Sequence, residues 1–351
     1  MQKNKSLLNI LKAIAFASIG FLILYLLYRS QNAEYQVYCA SEGIPAEDCS
    51  LLKKVINDFR SANYFWIFLI IACYIISNFS RAARWLQLIR PLGYQAQFWN
   101  SFFTIMLGYF ANLGIPRIGE VIRAASMSRY EKIPAEKLIG TIVVGRTFDF
   151  IMLFFFIAIA FGLEYDTLWN YLNEKANFGG KLQSLLASWL IWGMLVIGAV
   201  GLILVYIFRV RLSQWRVYQK FLNILKGFGE GIRSVLQLER PWLFVLHSIN
   251  IWVMYFLMTY LAFFAFEPTA HLSATAGLLT FIFGAFGIIV PAPGGMGAYQ
   301  FFVQECLTIY GIDGNDAFSF ANIVFFSLQI GANVLLGLVA LVILPILNIN
   351  K

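Results

Sequence analysis

Two long apolar stretches of this chain are interrupted in the same way. The first interruption spans 108–120, GYFANLGIPRIGE, and the second spans 284–297, GAFGIIVPAPGGMG. Each runs Gly-x-Phe, then a short apolar stretch, then Pro with Gly three residues later. Broken backbone at membrane depth leaves N–H and C=O groups unpaired, which is tolerated only where protein or a polar cavity satisfies them. Matched breaks in corresponding halves of a chain point to the substrate site of a carrier built from repeats. A membrane carrier is the leading reading.

Composition agrees. Apolar residues make up 60% of the 351 positions and charged residues 13%, with a mean hydropathy of +0.72. Soluble domains sit near 45–50% apolar and ~25% charged. Six apolar stretches are long enough to cross the ~30 Å hydrocarbon layer: 7–28, 62–79, 138–162, 185–208, 241–266 and 317–347. The last is long enough to tilt, or to break near Gly331 or Gly337. The first is read as a retained helix, since no small-residue cleavage site follows it. Two further stretches, 98–115 and 273–310, carry the interruptions.

The net charge of +8 does not point to nucleic acid, because the basic residues gather in particular loops. Segments 80–97, 116–137 and 209–240 hold fifteen Lys and Arg, against six in 29–61 and 163–184. The positive-inside rule makes the richer loops cytoplasmic, with both termini on that side. Stretch 98–115 lies between two basic segments, so a full crossing there would put one of them outside. A re-entrant hairpin with its tip at Asn112–Gly119 resolves the conflict, and 273–310 enters from the outside with its tip at Pro291–Gly297. The expectation is an all-α polytopic membrane protein in a single domain, 1–351. It has six spanning helices and two re-entrant hairpins, eight membrane segments in all, with 62–162 and 241–347 as the halves of an inverted repeat. Two ordinary kinked spanning pairs are the alternative. Segment 210–240 carries an apolar stripe with basic residues off it, which suits either an amphipathic helix on the membrane surface or a solvated linker.

Arg146 and Asp149 stand inside an apolar run, three residues apart on one helix face. Charges there are costly and usually face the bundle interior or a water-filled path. Either Arg146 holds a lipid phosphate while Asp149 orients it, or the two form a structural ion pair. At the first tip, Asn112, Pro116, Arg117, Gly119, Glu120 and Arg123 combine a Pro-initiated half-helix with basic residues, a setting suited to phosphate. Arg117 and Arg123 serve equally as positive-inside anchors. At the second tip, Pro291 and Pro293 stop one helix, and Gly294, Gly295 and Gly297 admit close backbone approach. Gln300 lies one turn into the returning half-helix. Gln329 and Asn333, four apart in the last span, either line the cavity or serve as interhelical hydrogen-bond glue, the preferred reading. Arg81, Arg84 and Trp85 sit at the cytoplasmic end of the second span, as interfacial anchors or as a point of headgroup capture.

No P-loop, nucleophile elbow or zinc-ligand spacing occurs. The expectation is therefore a protein without enzymatic activity, metal or cofactor. Cys39 and Cys49 share the outer loop 29–61, where they form a disulfide or remain free thiols.

Arg81 with Arg84-Trp85, Asn112 through Pro116-Arg-x-Gly119-Glu120 and Arg123, Arg146 with Asp149, and Pro291-x-Pro-Gly-Gly-x-Gly297 occur in one order along the chain. In this the chain resembles the membrane region of bacterial lysylphosphatidylglycerol synthases and the related flippase-like membrane proteins, over nearly its whole length. The resemblance implies handling of phospholipid, anionic or aminoacylated, across the bacterial cytoplasmic membrane. Gln300 departs from the Glu expected in that family. The sequence stops at Lys351 with no room for an aminoacyl-transferase domain, so lipid lysylation is not expected. A phospholipid translocase is the leading expectation. The alternative is a lipid-binding accessory protein partnering a glycosyltransferase or lipid-modifying enzyme.

Overall fold

The computed structural model describes residues 49–114, 117–176, 234–290, 292 and 295–349, with scattered positions between 25 and 40. The expected span 185–208, all of 7–28 but Tyr25 and Tyr28, most of segment 210–240, and Pro116, Pro291, Pro293 and Gly294 lie outside the described residues. Everything regular among the described residues is helical. The elements are α1 (Leu51–Ser61), α2 (Tyr64–Ile89), α3 (Phe98–Gly114), α4 (Gly119–Glu131), α5 (Ala135–Leu163), α6 (Tyr165–Ala176), α7 (Pro241–Phe263), α8 (Ala274–Ile289), α9 (Ala298–Ile309), α10 (Gly314–Phe325) and α11 (Asn333–Leu347).

Local chemistry marks where several of these helices begin. The Asn63, Ser273 and Asp313 side chains accept backbone N–H groups at the starts of α2, α8 and α10, which satisfies donors that a helix start leaves orphaned. Pro241 opens α7, at the position where its missing N–H costs nothing.

Four helical stretches are long and apolar enough to cross a membrane: Tyr64–Leu92, Ala135–Leu163, Pro241–Phe263 and Gly314–Leu347. They answer to four of the six expected spans, and the protein is a multi-pass membrane protein. Large apolar side chains such as Phe68, Phe154, Leu335 and Val342 are exposed on them, the surface a lipid-facing helix presents. The last stretch is not a uniform helix. A π-helical turn over Phe326–Ala332, containing Gly331, joins α10 to α11. The expected span 62–79 proves longer, because α2 continues through Arg81, Arg84 and Trp85 to Ile89.

Two helical hairpins lie between the spans, α3–α4 and α8–α9, and each folds tightly on itself. In the first, a Cβ on Gly119 would lie 2.1 Å from the Gly108 carbonyl oxygen. In the second, a Cβ on Gly287 would lie 2.5 Å from Tyr299 Cα. Helix α2 packs along α7, α3 along α11, and α8 against α7 and α5, so the order span–hairpin–span occurs twice around one shared core.

The chain divides into two compact units, residues 1–163 with 238–351, and residues 164–237. All the elements above except α6 belong to the first. Within the second, α6 stacks Tyr165 on Trp169 with ring centroids 5.9 Å apart. Before α1, a disulfide joins Cys39 to Cys49, and Ser50 caps the helix that follows.

Candidate functional site

Helix α2 carries Tyr74, Ser77, Asn78, Arg81, Arg84 and Trp85 at helical spacing on its buried side. Arg81 and Arg84 are 7% and 3% exposed, a burial that charged residues almost never reach without partners. Their partner is Asp149 on α5. Its Oδ2 accepts from Arg81 Nη1 at 3.1 Å and its Oδ1 from Arg84 Nη2 at 2.7 Å. Helix α7 completes the coordination: Arg81 Nη2 donates to the Tyr255 hydroxyl at 2.7 Å, and Arg84 Nη1 to Ser248 Oγ at 3.0 Å. Such a network holds only when its charges and donors are met in good geometry, and removing one partner typically costs ~3–5 kcal/mol. Asp149 thus ties α2 to α5 while α7 orients both arginines.

Arg146, one turn before Asp149, is turned elsewhere. Its Nε donates to Glu120 Oε1 of α4 at 2.5 Å, while its Nη1 stands 4.0 Å from Asp149. Both members of the Arg146–Glu120 pair are nearly half exposed. Sequence proximity pointed to an Arg146–Asp149 pair; the tertiary fold gives Asp149 closer guanidiniums from α2 and gives Arg146 to the first hairpin.

Arg123, also on α4, has no carboxylate among the described residues. Its guanidinium lies 3.7 Å from the ring centroid of Trp85, an attraction worth up to ~2 kcal/mol when desolvated. The Trp85 Nε1–H donates to Thr141 Oγ1 at 2.8 Å, which fixes the indole plane. The Nε of Arg123 and that of Arg81 are buried without a hydrogen-bond partner. The strongest electrostatic neighbours of Arg123 are Tyr109 and three other arginines, 81, 146 and 84. Arg81, Arg84, Trp85, Arg123, Thr141, Arg146 and Asp149 line a cavity of about 20 Å³, room for a single water-sized group. Guanidiniums converging on a small polar cavity can present charge-assisted donors to a phosphate oxygen.

The tip residues divide into those that hold the hairpins and those that reach outward. Asn112 Oδ1 accepts the Gly119 N–H at 2.7 Å, so the start of α4 is partly capped from within. Gln300 does the equivalent in the second hairpin. Its Oε1 accepts the Gly297 N–H at 2.8 Å and its Nε2 donates to Asn322 Oδ1 at 3.3 Å. Gly295 and Gly297 have φ of +79° and +81°, backbone that glycine adopts freely. A Cβ on Gly295 would meet Ile288 Cα at 2.7 Å, so the hairpin's own packing requires that glycine. Arg117 also has positive φ, +67°, unusual for a side-chain-bearing residue. Rather than following Glu120 and Arg123 along α4, it extends across to the second hairpin and donates to the Ile289 carbonyl at 3.4 Å, at the end of α8. A cation at a helix C-terminus is favourable.

Arg81, Arg84, Trp85, Arg123, Arg146, Asp149 and Glu120 therefore converge in one cluster, while Asn112, Gly119, Gly295, Gly297 and Gln300 shape the tips. Arg81, Arg84 and Trp85, expected at the cytoplasmic end of the second span, lie on the longer α2 with their side chains buried in the protein. Asn333 accepts from the Tyr74 hydroxyl and donates to Gln329 Oε1, an interhelical hydrogen-bonded link. Tyr109, Thr141, Ser248 and Tyr255 escaped sequence reading. Tyr109 stands inside the first interruption, directly after Gly108. Ser248 and Tyr255 are polar residues seven apart on one face of an apolar helix, a spacing that marks an inward stripe.

Residues 50–344 match the family described as lysylphosphatidylglycerol synthase TM region. A UPF0104 membrane protein of Methanocaldococcus jannaschii is 32% identical over 125 residues, covering 35% of this chain and 37% of that protein. The match thus spans well under half of that relative. No solved structure matches the chain.

Proposed function

Because this chain belongs to the lysylphosphatidylglycerol synthase transmembrane family, we propose that it is a lipid translocase that passes an anionic or aminoacylated headgroup between its two hairpin tips. The observation that carries this reading is the Arg117–Ile289 contact, which joins the tips of hairpins 172 residues apart in sequence. A 3.4 Å bond from one exposed side chain is easily broken and remade, as a gate requires. Helix lengths support the re-entrant arrangement. At 1.5 Å per residue, α3 and α8 are about 25 Å long and α4 and α9 about 20 Å, each short of the ~30 Å hydrocarbon layer. The hairpins would enter from opposite faces of a bacterial-type cytoplasmic membrane, with both termini inside, and form the inverted repeat. No ATP-binding motif occurs in the sequence, so the step would be passive or ion-coupled.

One observation favours a second reading, a non-transporting accessory protein that binds lipid for a glycosyltransferase or lipid-modifying enzyme. The cavity among the arginines is only about 20 Å³, far below the size of a headgroup. A tip-locking experiment separates the two. Cysteines at 117 and 289, in a protein whose Cys73 and Cys306 are replaced by Ser, should be joined by a bifunctional thiol reagent with a reducible spacer, since the arginine reach exceeds what a direct disulfide spans. In vesicles, that cross-link should stop transfer of fluorescent lipid between leaflets, and reduction should restore it. Transfer that continues with the tips locked would rule out passage between them, and absence of transfer in the unlocked protein would favour the accessory role.

A further inference from the structure

The charges in the arginine cluster do not balance. Arg81, Arg84, Arg123 and Arg146 meet two carboxylates, Asp149 and Glu120, and both carboxylates are already engaged by guanidiniums. Two positive charges remain uncompensated among the described residues. Two buried guanidinium nitrogens, Nε of Arg81 and Nε of Arg123, have no acceptor. Unpaired buried donors of this kind imply a partner that supplies oxygen lone pairs, and uncompensated charge at membrane depth implies one that supplies negative charge.

We infer that the cluster is built for a dianionic phosphate, the phosphomonoester headgroup of a lipid, in preference to a phosphodiester or an aminoacylated headgroup. This rests on the lipid-handling reading above and names its substrate class. A phosphomonoester carries about −1.5 to −2 near pH 7 and three acceptor oxygens, which matches both the charge excess and the two vacant donors. The cavity of about 20 Å³ admits one such oxygen, so seating the whole group requires the half-exposed Arg146–Glu120 pair to part. A phosphodiester supplies one charge. A headgroup bearing an ammonium would need a carboxylate to receive it, and neither Asp149 nor Glu120 is vacant. Arg123 is the residue that sets the excess, since it alone of the four pairs with an aromatic face rather than a carboxylate.

The test uses the full chain in nanodiscs of neutral lipid, with phosphatidate, phosphatidylglycerol and lysylphosphatidylglycerol of identical acyl chains competing for a fluorescent lipid phosphate. At pH 8 phosphatidate should bind about ten-fold more tightly than phosphatidylglycerol, the effect of one further charge-assisted contact. The advantage should shrink towards pH 5, where the monoester loses its second charge. The groups facing the bound phosphate are the four arginines, Asp149, Glu120, Tyr109 and Tyr255, with His247 beside Arg84. His247→Gln must therefore retain the pH dependence if it belongs to the lipid. Arg123→Gln should still bind phosphatidylglycerol and lose most of the preference, which excludes unfolding as the cause.

Phosphatidylglycerol or its lysyl ester binding as tightly as phosphatidate would overturn the inference and leave the translocase reading standing. So would a preference that survives in Arg123→Gln, or a pH dependence that vanishes in His247→Gln. Displacement of the probe by glycerol phosphate at concentrations similar to phosphatidate would overturn the lipid source in favour of a soluble phosphate. Failure of every lipid to bind would remove both this inference and the lipid-handling reading.

Discussion

The two hairpins use one structural device for two different surroundings. In each, a side-chain amide accepts a backbone N–H at the start of the returning helix, Asn112 for Gly119 and Gln300 for Gly297. In each, a glycine lets the helices close on one another, Gly119 on Gly108 and Gly287 on Tyr299. Beyond that they diverge. The first continues into Arg117, Glu120 and Arg123, and two of these join the arginine cluster. The second carries no charged residue from 284 to 300, and its amide faces Asn322 in a buried site. The stapling is therefore a requirement of the fold, shared by both hairpins, whereas the charge is an addition to one. One hairpin geometry thus occurs twice while the charged chemistry occurs once.

The largest effect that would sharpen this contrast lies where the charged hairpin meets the spans. Asp149→Asn should destabilise the full chain by ~3–5 kcal/mol, because Arg81 and Arg84 lose their shared counter-charge in a buried site. Glu120→Gln, in a pair nearly half exposed, should cost ~1 kcal/mol or less. Chemical unfolding in detergent would compare them. Equal losses would mean that the network is not centred on Asp149.

Next come the stapling glycines. Gly119→Ala and Gly287→Ala should each cost ~1–3 kcal/mol, since both Cβ atoms would fall on backbone that must shift. Thermal unfolding of the two variants would break the comparison if only one were sensitive, since the hairpins would then be closed by different means.

The smallest effect sets a baseline outside both hairpins. Lys54 of α1 pairs with Asp58 and reaches Asp316 at the start of α10, at 2.8 and 2.6 Å. Burial pushes the Lys54 ammonium down, and its bonds to Asp316 and Asp58 outweigh this and hold it above the ordinary lysine value. A group raised in the folded state contributes below its unfolded value and is lost as pH rises through the folded one. Lys54→Met should therefore cost ~1 kcal/mol or less at neutral pH, and its difference from the parent should disappear only above about pH 10. A difference that instead vanished on acidification to pH 6 would contradict the pairing.

Much of the fold was legible because membrane insertion is decided locally. Twenty apolar residues cross hydrocarbon whatever their neighbours do, so the spans near 138–162, 241–266 and 317–347 coincide with observed helices. The hairpins were legible for a similar reason, since Pro and Gly act on the backbone of their own turn. The extent of α2 was not. Arg81 and Arg84 end any apolar window at Phe79, yet the helix runs on, because their charges are met by an aspartate 68 and 65 residues away.

The same limit governs the site. The sequence by itself marked the anomalous charges Arg146 and Asp149 and the two interruptions at which the helical hairpins turn. It placed Arg146 beside Asp149 because i and i+3 are neighbours on any helix. Only the tertiary structure decided that Asp149 serves α2, that Arg146 serves the first hairpin, that Arg117 reaches the second, and that Arg123 is left with an aromatic face. Helical spacing dictates what is near along one element. Buried ion pairs are chosen by whichever partners the packing brings within hydrogen-bond reach, and desolvation leaves little tolerance for any other choice.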